Sequence, residues 1–582
     1  MKIESFFVNF ELLTDAPNAV AKLREIILQL AVRGKLVSQK PNDEPALSSL
    51  NRAKIENEFF QQTEIFARDE LDSFCPNNRS LATIPHRWEW VSLVEVVDKG
   101  KNSIKRGPFG SSIRKEFFVP DGYKVYEQKN AIYDDFQLGY YFINEKKFQE
   151  LKDFELKPND IIISCSGTIG RIAVAPESIR QGIINQALLK ITLNTKLLSN
   201  NYFKILFPAF FMNTSVLTEL KGTAIKNIVG VQALKQLLFP LPPIAEQKRI
   251  VEKCDRLLSI CDEIEKRQQQ RQESILRMNE SAIAQLLSSQ NPDEFRQHWQ
   301  RIRNNFDLFY SVPETIPKLR QAILQLAVQG KLVRQEFDES ALRYLIERIT
   351  EERLALCPNE KDKQRILSEF GKIIEESAQG KTEEFEIPAI CICDFITKGT
   401  TPSNSELLPE GEIPYLKVYN IVDNKIDFFY KPTYISRTVH TTKLKRSLVC
   451  PGDVLMNIVG PPLGKIAIVP DDFPEWNINQ ALAVFRPVDS VYNRFMYYAL
   501  SSYATLEKVL NETKGTAGQD NLSLEQCRSL RIPLYTIETQ KRIVEKCDRL
   551  MSLCDTLEAK LKQGRDSSEK LMEVAAKQVL TA

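Results

Sequence analysis

The chain has 582 residues, of which 43% are hydrophobic and 26% are charged, and its formal net charge is +2. This composition is ordinary for a globular protein and excludes a largely disordered chain. The most apolar short stretch, 205–212, is interrupted by Pro208, so we expect neither a secretory signal nor a membrane span, and a cytoplasmic protein. The small net charge neither indicates nor excludes a nucleic-acid partner, because local patches set the field at a binding surface.

The first predicted element is a short amphipathic helix in an N-terminal helical block, 1–45. Its sequence, KLREIILQLAVRGKLVSQ from residue 22, returns from residue 318 as KLRQAILQLAVQGKLVRQ. Apolar residues recur at helical spacing and Gly34 is a stop signal. The charged residues that follow, 46–83, predict a helical linker.

Residues 84–243 are predicted to form an α+β domain, because short β-rich runs alternate with Gly, Pro, Asn and Asp turns before a helical stretch. The window 99–115 contains Lys and Arg but no acidic residue. Within it, the loop RGPFGSS at 106–112 is glycine-rich and flanked by cations, which suits close approach of the backbone to phosphates or base edges. A plain surface turn between strands is the alternative interpretation.

A long helix is predicted at 244–290, after Pro242 and Pro243, because apolar residues recur at alternating steps of four and three, as in a heptad seam. Its segment QKRIVEKCDRL at 247–257 recurs unchanged at 540–550. The chain is therefore a tandem duplication. We expect the two long helices to pair antiparallel; the alternative is that each packs separately against its own domain. The second copy comprises a helical block at 291–337, a helical linker at 338–384, a domain at 385–536 and a long helix at 537–582.

The two domains have diverged in sequence, but sparse residues recur at matching places. These are Asp160 with Asp453, Gly167 with Gly460, Asn185-Gln186-Ala187 with Asn479-Gln480-Ala481, and Lys221-Gly222-Thr223 with Lys514-Gly515-Thr516. The second domain also has a cationic window without acidic residues, 431–446, and a glycine loop, KGTTP, at 398–402. We therefore expect the two domains to share one backbone arrangement and to differ in their exposed residues.

No catalytic signature accompanies this frame. The three histidines lack evident triad partners, and the spacing of histidines and eleven cysteines assembles no zinc site. The segment GPPLGK at 460–465 lacks the glycine spacing and hydroxyl residue of a phosphate loop. We expect reduced cysteines that serve as small apolar residues, no metal site, and a recognition protein rather than an enzyme.

The duplicated order, the phrase LQLAVRGKLV, the Gly-Thr pairs, and the domain exits FPLPPIAEQ at 239–247 and IPLYTIETQ at 532–540 resemble the specificity subunit of type I restriction-modification systems over nearly the whole chain. The second exit departs from the family's usual double proline, having Tyr535-Thr536 there.

The resemblance implies an α+β fold with two target-recognition domains, joined by two long antiparallel coiled-coil helices and related by an internal pseudo-two-fold duplication. Each domain is expected to read one half of a split, asymmetric sequence in double-stranded DNA. The implied partners are two modification subunits, which bind S-adenosylmethionine and methylate adenine, and ATP-dependent restriction subunits. The chain itself is expected to be non-catalytic and to hold no cofactor.

Our candidate DNA contacts combine cations for phosphates with polar side chains for base edges. They are Lys101, Lys105, Arg106, Ser111, Ser112 and Arg114 in the first domain, and Thr400, Thr401, Lys417, Asn420, Arg437, Lys443 and Lys445 in the second. One competing hypothesis is a duplicated coiled-coil adaptor that holds two domains for ligands other than DNA. Another is a self-contained nuclease or methyltransferase, which the missing signatures disfavour.

Overall fold

The computed structural model describes residues 16, 18–55, 84–100, 102–211, 234–235, 238–333, 339–357, 359–378, 386–460, 463–513 and 521–581. The chain divides into two compact units, Met1–Gln270 with Gly564–Ala582, and Arg271–Gln563. None of the helices in the described ranges combines the length and hydropathy that crossing a membrane requires.

The first unit holds the N-terminal helical block and the first domain. Its strands are β1 Glu89–Ser92, β2 Ile104–Arg106, β3 Phe118–Val119, β4 Tyr123–Tyr126, β5 Phe142–Ile143, β6 Glu155–Leu156, β7 Ile161–Ser164, β8 Ile172–Val174, β9 Gly182–Ile184, β10 Leu188–Ile191 and β11 Leu238–Leu241. Its helices are α1 Ala19–Val32, α2 Ala46–Ile55, α3 Gln128–Tyr133, α4 Glu145–Glu150, α5 Asn200–Ala209 and the start of α6 Ile244–Leu287.

Two sheets form the first domain, and a third closes its ends. An antiparallel sheet has the order β2-β10-β7-β8, and a mixed sheet has the order β3-β5-β4-β9-β6, in which β4 and β9 run parallel. All four residues of β7 are buried, as expected for a central strand covered on both faces. Strands β1 and β11 pair antiparallel where the chain enters and leaves the domain.

The second unit repeats this plan. Its strands are β12 Glu386–Pro388, β13 Cys393–Lys398, β14 Ile413–Leu416, β15 Ile421–Val422, β16 Lys425–Ile426, β17 Tyr434–Ile435, β18 Leu448–Val449, β19 Val454–Asn457, β20 Ile466–Ile468, β21 Trp476–Ile478, β22 Leu482–Pro487 and β23 Arg531–Pro533. Its helices are α7 Pro292–Asn304, α8 Phe306–Phe309, α9 Ile316–Val328, α10 Glu339–Leu356, α11 Glu360–Ala378, α12 Ala389–Ile392, α13 Arg437–Thr441, α14 Asn493–Ser501, α15 Tyr503–Thr513, α16 Leu524–Ser529 and the start of α17 Ile537–Thr581.

Sheet order confirms the duplication. The antiparallel sheet β13-β22-β19-β20 matches β2-β10-β7-β8. The sheet β17-β14-β21-β18 matches four of the five strands of the mixed sheet, β5-β4-β9-β6, with β14 and β21 again parallel. Strands β12 and β23 close the second domain as β1 and β11 close the first. The α+β class predicted from sequence is therefore confirmed. In the second domain, the chain segment that connects β14 to β17 contains a two-stranded hairpin of β15 and β16.

The long helices α6 and α17 have 44 and 45 residues, which confirms the predicted helices. Helix α6 begins in the first unit and ends in the second, whereas α17 begins in the second and ends in the first. The two helices thus pass through the units in opposite order. The predicted core role of their repeated cysteines is also confirmed, because Cys254, Cys261, Cys547 and Cys554 are all buried and unpaired.

Equivalent side chains fasten each helical block to its long helix. Arg24 Nη2 lies 2.6 Å from an Asp262 carboxylate oxygen and 2.7 Å from one of Glu265. Arg320 repeats this bridge in the second unit, at 2.7 Å from Asp555 and 3.1 Å from Glu558. The repeated sequence of the helical blocks therefore corresponds to repeated ion pairs with the long helices. The Lys-Gly-Thr repeats at 221–223 and 514–516 lie outside the described residues.

Candidate nucleic-acid interface

The two glycine loops occupy equivalent places at the ends of β2 and β13. Gly107 N donates to Leu188 O at 2.9 Å, and Gly399 N donates to Leu482 O at 3.0 Å. A Cβ at Gly107 would lie 1.8 Å from Asn185 O, and one at Gly399 would lie 2.1 Å from Asn479 O. Only glycine permits so close an approach of two backbones.

The Asn-Gln-Ala turns hold these loops in place. Asn185 N donates to Tyr126 O at 2.9 Å, which joins the turn to the end of β4. Cys165 N donates to Ala187 O at 2.8 Å, which joins it to the loop after β7. The second domain has the same two bonds: Asn479 N to Leu416 O at 3.0 Å, and Ile458 N to Ala481 O at 2.9 Å.

Three loops therefore meet at one edge of each domain. We call this the loop edge; it comprises 106–112, 165–167 and 185–187 in the first domain, and 398–403, 458–460 and 479–481 in the second. Gly167 and Gly460, the paired glycines of the sequence, both adopt a left-handed backbone, with φ of 61° and 75°. The frame is made by backbone hydrogen bonds, so its exposed side chains are free to differ.

The first-domain candidates are only partly gathered at this edge. Arg106 Nε donates to Gln186 O at 3.5 Å, and Ser111 is exposed in the turn Gly110–Ser112 while Ser112 is half-buried. Lys105 points to the acidic side chain of Asp153, with 3.7 Å between Nζ and Oδ2.

Two first-domain candidates remain. Arg114 lies 3.6 Å from a carboxylate oxygen of Glu116. Lys101 lies outside the described residues.

In the second domain, Thr400 and Thr401 are exposed on the loop edge, and Thr400 O accepts a hydrogen bond from Tyr415 at 2.9 Å. Lys417 is half-buried, with its ammonium 5.8 Å from the ring centroid of Tyr419. Lys445 is exposed.

Two second-domain cations face carboxylates. Arg437 lies 3.0 Å from Glu412 and 3.2 Å from Glu475, and Lys443 lies 2.7 Å from Glu406. Hydrogen bonds from Lys443 and then from Ser403 lower the pKa of Glu406 to about 2. The cationic windows are thus free of acidic residues in sequence but not in space, because the fold brings Asp153 to the first window and Glu406, Glu412 and Glu475 to the second.

The prediction that Asn420 contacts DNA is wrong. Its side chain is buried, and its amide nitrogen donates to the carbonyl oxygens of Asp427, Phe428 and Tyr430, at 3.2, 3.4 and 3.1 Å. Its amide oxygen accepts from Lys417 N at 3.0 Å. A side chain committed in this way cannot read a base, so Asn420 supports a loop instead.

Sequence reasoning missed several exposed aromatic side chains of the two domains. Phe109, in the first glycine loop, is 87% exposed, and Tyr140 and Phe429 are 74% and 71% exposed. Each has Gly or Tyr as a sequence neighbour, and this local pattern is the sequence signal that could have identified it. Cys165, by contrast, is no nucleophile candidate, because burial raises the pKa of its thiol to about 11.

Comparison with known proteins places these features in a family. The model of the type I restriction modification DNA specificity domain matches residues 85–273 and 381–564, more than half of the chain. The specificity subunits of the type I restriction enzymes EcoAI and EcoEI of Escherichia coli are each 26% identical to this chain. In both cases the match covers 94% of this chain and 92% of the relative.

A solved structure is also similar in part. The crystal structure of the HsdS subunit from Thermoanaerobacter tengcongensis is 17% identical, with a TM-score of 0.39, over 86% of this chain and 97% of that one.

Proposed function

This chain belongs to the family of type I restriction modification DNA specificity proteins, and from that membership we propose that each of its two domains reads one half of a bipartite, asymmetric DNA sequence. It is a DNA recognition subunit of a type I restriction-modification system. The reading of half-sites, the methylation it directs and the placement of partners are the parts that we propose.

One observation carries the proposal: the loop edge is built twice on the same hydrogen bonds but displays different side chains. Arg106 and Lys398 both precede the packed glycine, so a cation is available at the same place for a phosphate. The residues after that glycine differ, being Pro-Phe in the first domain and Thr-Thr in the second. A shared frame with different polar and apolar groups would recognise two unlike half-sites.

We propose that the chemistry lies in partner subunits. Modification subunits would bind S-adenosylmethionine and methylate one adenine in each half-site, and restriction subunits would supply ATP-dependent cleavage. This chain would bind neither cofactor. Its role would be to fix where the methyltransferases stand on the DNA.

An apolar groove in the second unit supports a docking place for a modification subunit. The groove encloses about 570 Å³ and is lined by the end of α6, by α7 and α9, and by the first half of α17. Lys331, Lys546 and Lys560 also line it. An amphipathic helix with an apolar face and acidic flanks matches this lining, and we assign that occupant to the modification subunit.

From the repeat we propose a second docking place in the first unit. Leu553 lines the groove and is 58% exposed. Ile260 has the equivalent position in α6, three residues after the repeated segment and one residue before a buried cysteine, and is 45% exposed. Two equivalent apolar positions, one per unit, fit two copies of one partner.

A salt series tests DNA binding by the domains. The assembled methyltransferase, with wild-type chain or with Arg106→Ala or Lys398→Ala, would be titrated with random duplex between about 50 and 200 mM salt. Loss of one phosphate contact should weaken binding to all sequences and reduce the slope of log K against log salt by about 0.9. Lys105→Ala serves as the matched control, because its ammonium is already near Asp153.

Unchanged slopes for both variants would place the phosphate contacts elsewhere. Absence of salt-dependent DNA binding by the wild-type assembly would instead favour an adaptor for ligands other than DNA.

A further inference from the structure

A buried asparagine follows the same strand of each domain and clamps the loop after it. Asn130 comes four residues after the end of β4 and Asn420 four residues after the end of β14. Both side chains are essentially inaccessible, at 0% and 1% exposure. Their amide oxygens accept from the backbone N–H of Glu127 and Lys417, at 2.8 and 3.0 Å.

The amide nitrogens of the same residues hold the loop that follows. Asn130 Nδ2 donates to Asp135 O and Leu138 O, each at 2.8 Å. Asn420 Nδ2 donates to the carbonyl oxygens of Asp427, Phe428 and Tyr430. Because a buried amide with all its groups paired is costly to disturb, both loops have fixed backbones.

An Asp-Phe pair completes this clamp in both domains. Asp135 N donates to Asn130 O at 3.2 Å, and Asp427 N donates to Asn420 O at 2.8 Å. Their carboxylates then accept from Gln137 N at 2.7 Å and Tyr430 N at 3.1 Å. The next residues, Phe136 and Phe428, pack into the domain cores. We call 134–141 and 427–433 the clamped loops.

Rings and cations project from the clamped loops. Tyr140 is exposed, with the ammonium of Lys129 5.4 Å from its ring centroid. Phe429 and Tyr430 are exposed in the second domain, and the ammonium of Lys431 lies 5.2 Å from the ring of Tyr430. Lys431 has a φ of 60°, a strained conformation for a residue with a side chain and one that is often retained at functional sites.

The ends of β4 and β14 join the clamped loops to the loop edge, because Val125 N donates to Tyr141 O at 2.9 Å and Tyr415 N donates to Thr433 O at 2.8 Å. The helix that carries Asn130 also carries Gln128, whose Nε2 would lie 3.4 Å from a Cβ at Gly167. In the second domain, the strand before Asn420 ends at Leu416, whose carbonyl oxygen is bound by Asn479 N. A ligand on the loop edge would therefore have the clamped loop beside it.

We propose that the clamped loops form a second DNA-contacting element in each domain, in which exposed rings pack against sugars and base edges in a groove of the duplex and neighbouring lysines contact phosphates. This inference rests on the proposed function. An apolar ring can contact a thymine methyl group or a sugar without unstacking the duplex, and cations suit the flanking phosphates. The occupant is duplex DNA rather than a protein because the loops continue the loop edge and because the second domain concentrates cations here. Among the described residues, Lys417, Lys425 and Lys431 have no ion pair.

Charge differs between the two loops. In the first domain Lys129 pairs with Glu127 at 2.8 Å, and Lys204 pairs with Asp134 at 2.8 Å. We therefore expect ring contacts with the DNA in both domains but a phosphate contribution chiefly in the second.

The test uses the assembled methyltransferase with Phe429→Ala or Tyr140→Ala. Each variant should bind the target duplex about 10- to 100-fold more weakly, the range expected for loss of one base-edge contact, with an unchanged salt slope because no charge is lost. Lys431→Gly keeps the left-handed turn and removes the ammonium, so it should lower the salt slope by about 0.9. Tyr344→Ala removes an equally exposed ring from α10 and is the control.

Target affinity equal to that of Tyr344→Ala for both aromatic variants would overturn the inference while leaving the proposed function standing. Normal DNA binding with loss of the modification subunit would assign these loops to a protein contact and would also overturn it. Failure of the proposed function is distinct, because the wild-type assembly would then show no sequence preference.

Discussion

After the duplication, the helical parts of the molecule and the two domains have kept different features. In the helices, an eleven-residue segment remains identical, and Arg24 and Arg320 make matching ion pairs. In the domains the amino-acid sequence has changed, whereas the backbone hydrogen bonds of the loop edge are the same in both copies. Where side chains make the contact, their identity is fixed; where the backbone makes it, the side chains are free to acquire new partners.

The largest expected effect concerns the repeated helical face. Ile260→Asp and Leu553→Asp each place a carboxylate on an apolar position that we assign to a modification subunit. Each single variant should therefore retain one modification subunit per chain, and the double variant none. Mass measurement of the purified assembly checks this, with Leu367→Asp, an exposed leucine of α11, as the control. Equal stoichiometry in all four proteins would refute the docking assignment.

The next prediction concerns the backbone frame. Gly107→Ala and Gly399→Ala each bring a methyl group into a carbonyl oxygen, at 1.8 and 2.1 Å before any relaxation. Each should lower the free energy of unfolding by about 2 to 3 kcal/mol. Chemical denaturation measures it, and Gly371→Ala, a helical site with open space around it, should be neutral or slightly stabilising. A negligible effect at both loop glycines would mean that the backbone of the loop edge can shift to accept a methyl group at little cost in stability.

The sequence alone predicted those parts of the molecule that are marked by a local pattern or by the internal repeat. The long helices followed from apolar periodicity, and the paired glycines and Asn-Gln-Ala turns followed from the internal repeat. It did not anticipate that Asn420 is buried, because its bonds go to residues seven to ten positions later. Nor could the acid-free windows reveal Asp153, Glu406 or Glu475, since only the fold brings those carboxylates to the cations.

A smaller effect is expected where the helices join the domains. Gln540 is buried; its Oε1 accepts from Tyr492 N at 2.7 Å and its Nε2 donates to Tyr535 O at 2.8 Å. Gln247 makes the equivalent bonds in the first unit. Gln540→Ala leaves these backbone groups unpaired and should cost about 1 to 3 kcal/mol. Thermal unfolding measures it, with exposed Gln272→Ala as the control, and equal stability of the two variants would contradict this role.

The smallest effect is electrostatic. The pKa of Glu406 is lowered to about 2 by Lys443 and Ser403, so its carboxylate favours the folded state above its ordinary pKa of 4.5. That contribution is lost as pH falls from about 4.5 towards 2. Carboxyl-resolved NMR titration should show the depressed pKa in the wild type and a higher one in Lys443→Met. Identical titration curves would show that the pair does not persist in solution.

Methylome sequencing of a host that carries this chain with its modification subunit tests the central claim most directly. The account predicts a bipartite motif with one modified adenine in each half, and a Thr400→Ala, Thr401→Ala variant that relaxes one half while leaving the other intact. A single contiguous motif, or equal relaxation of both halves, would contradict the claim that each domain reads its own half-site.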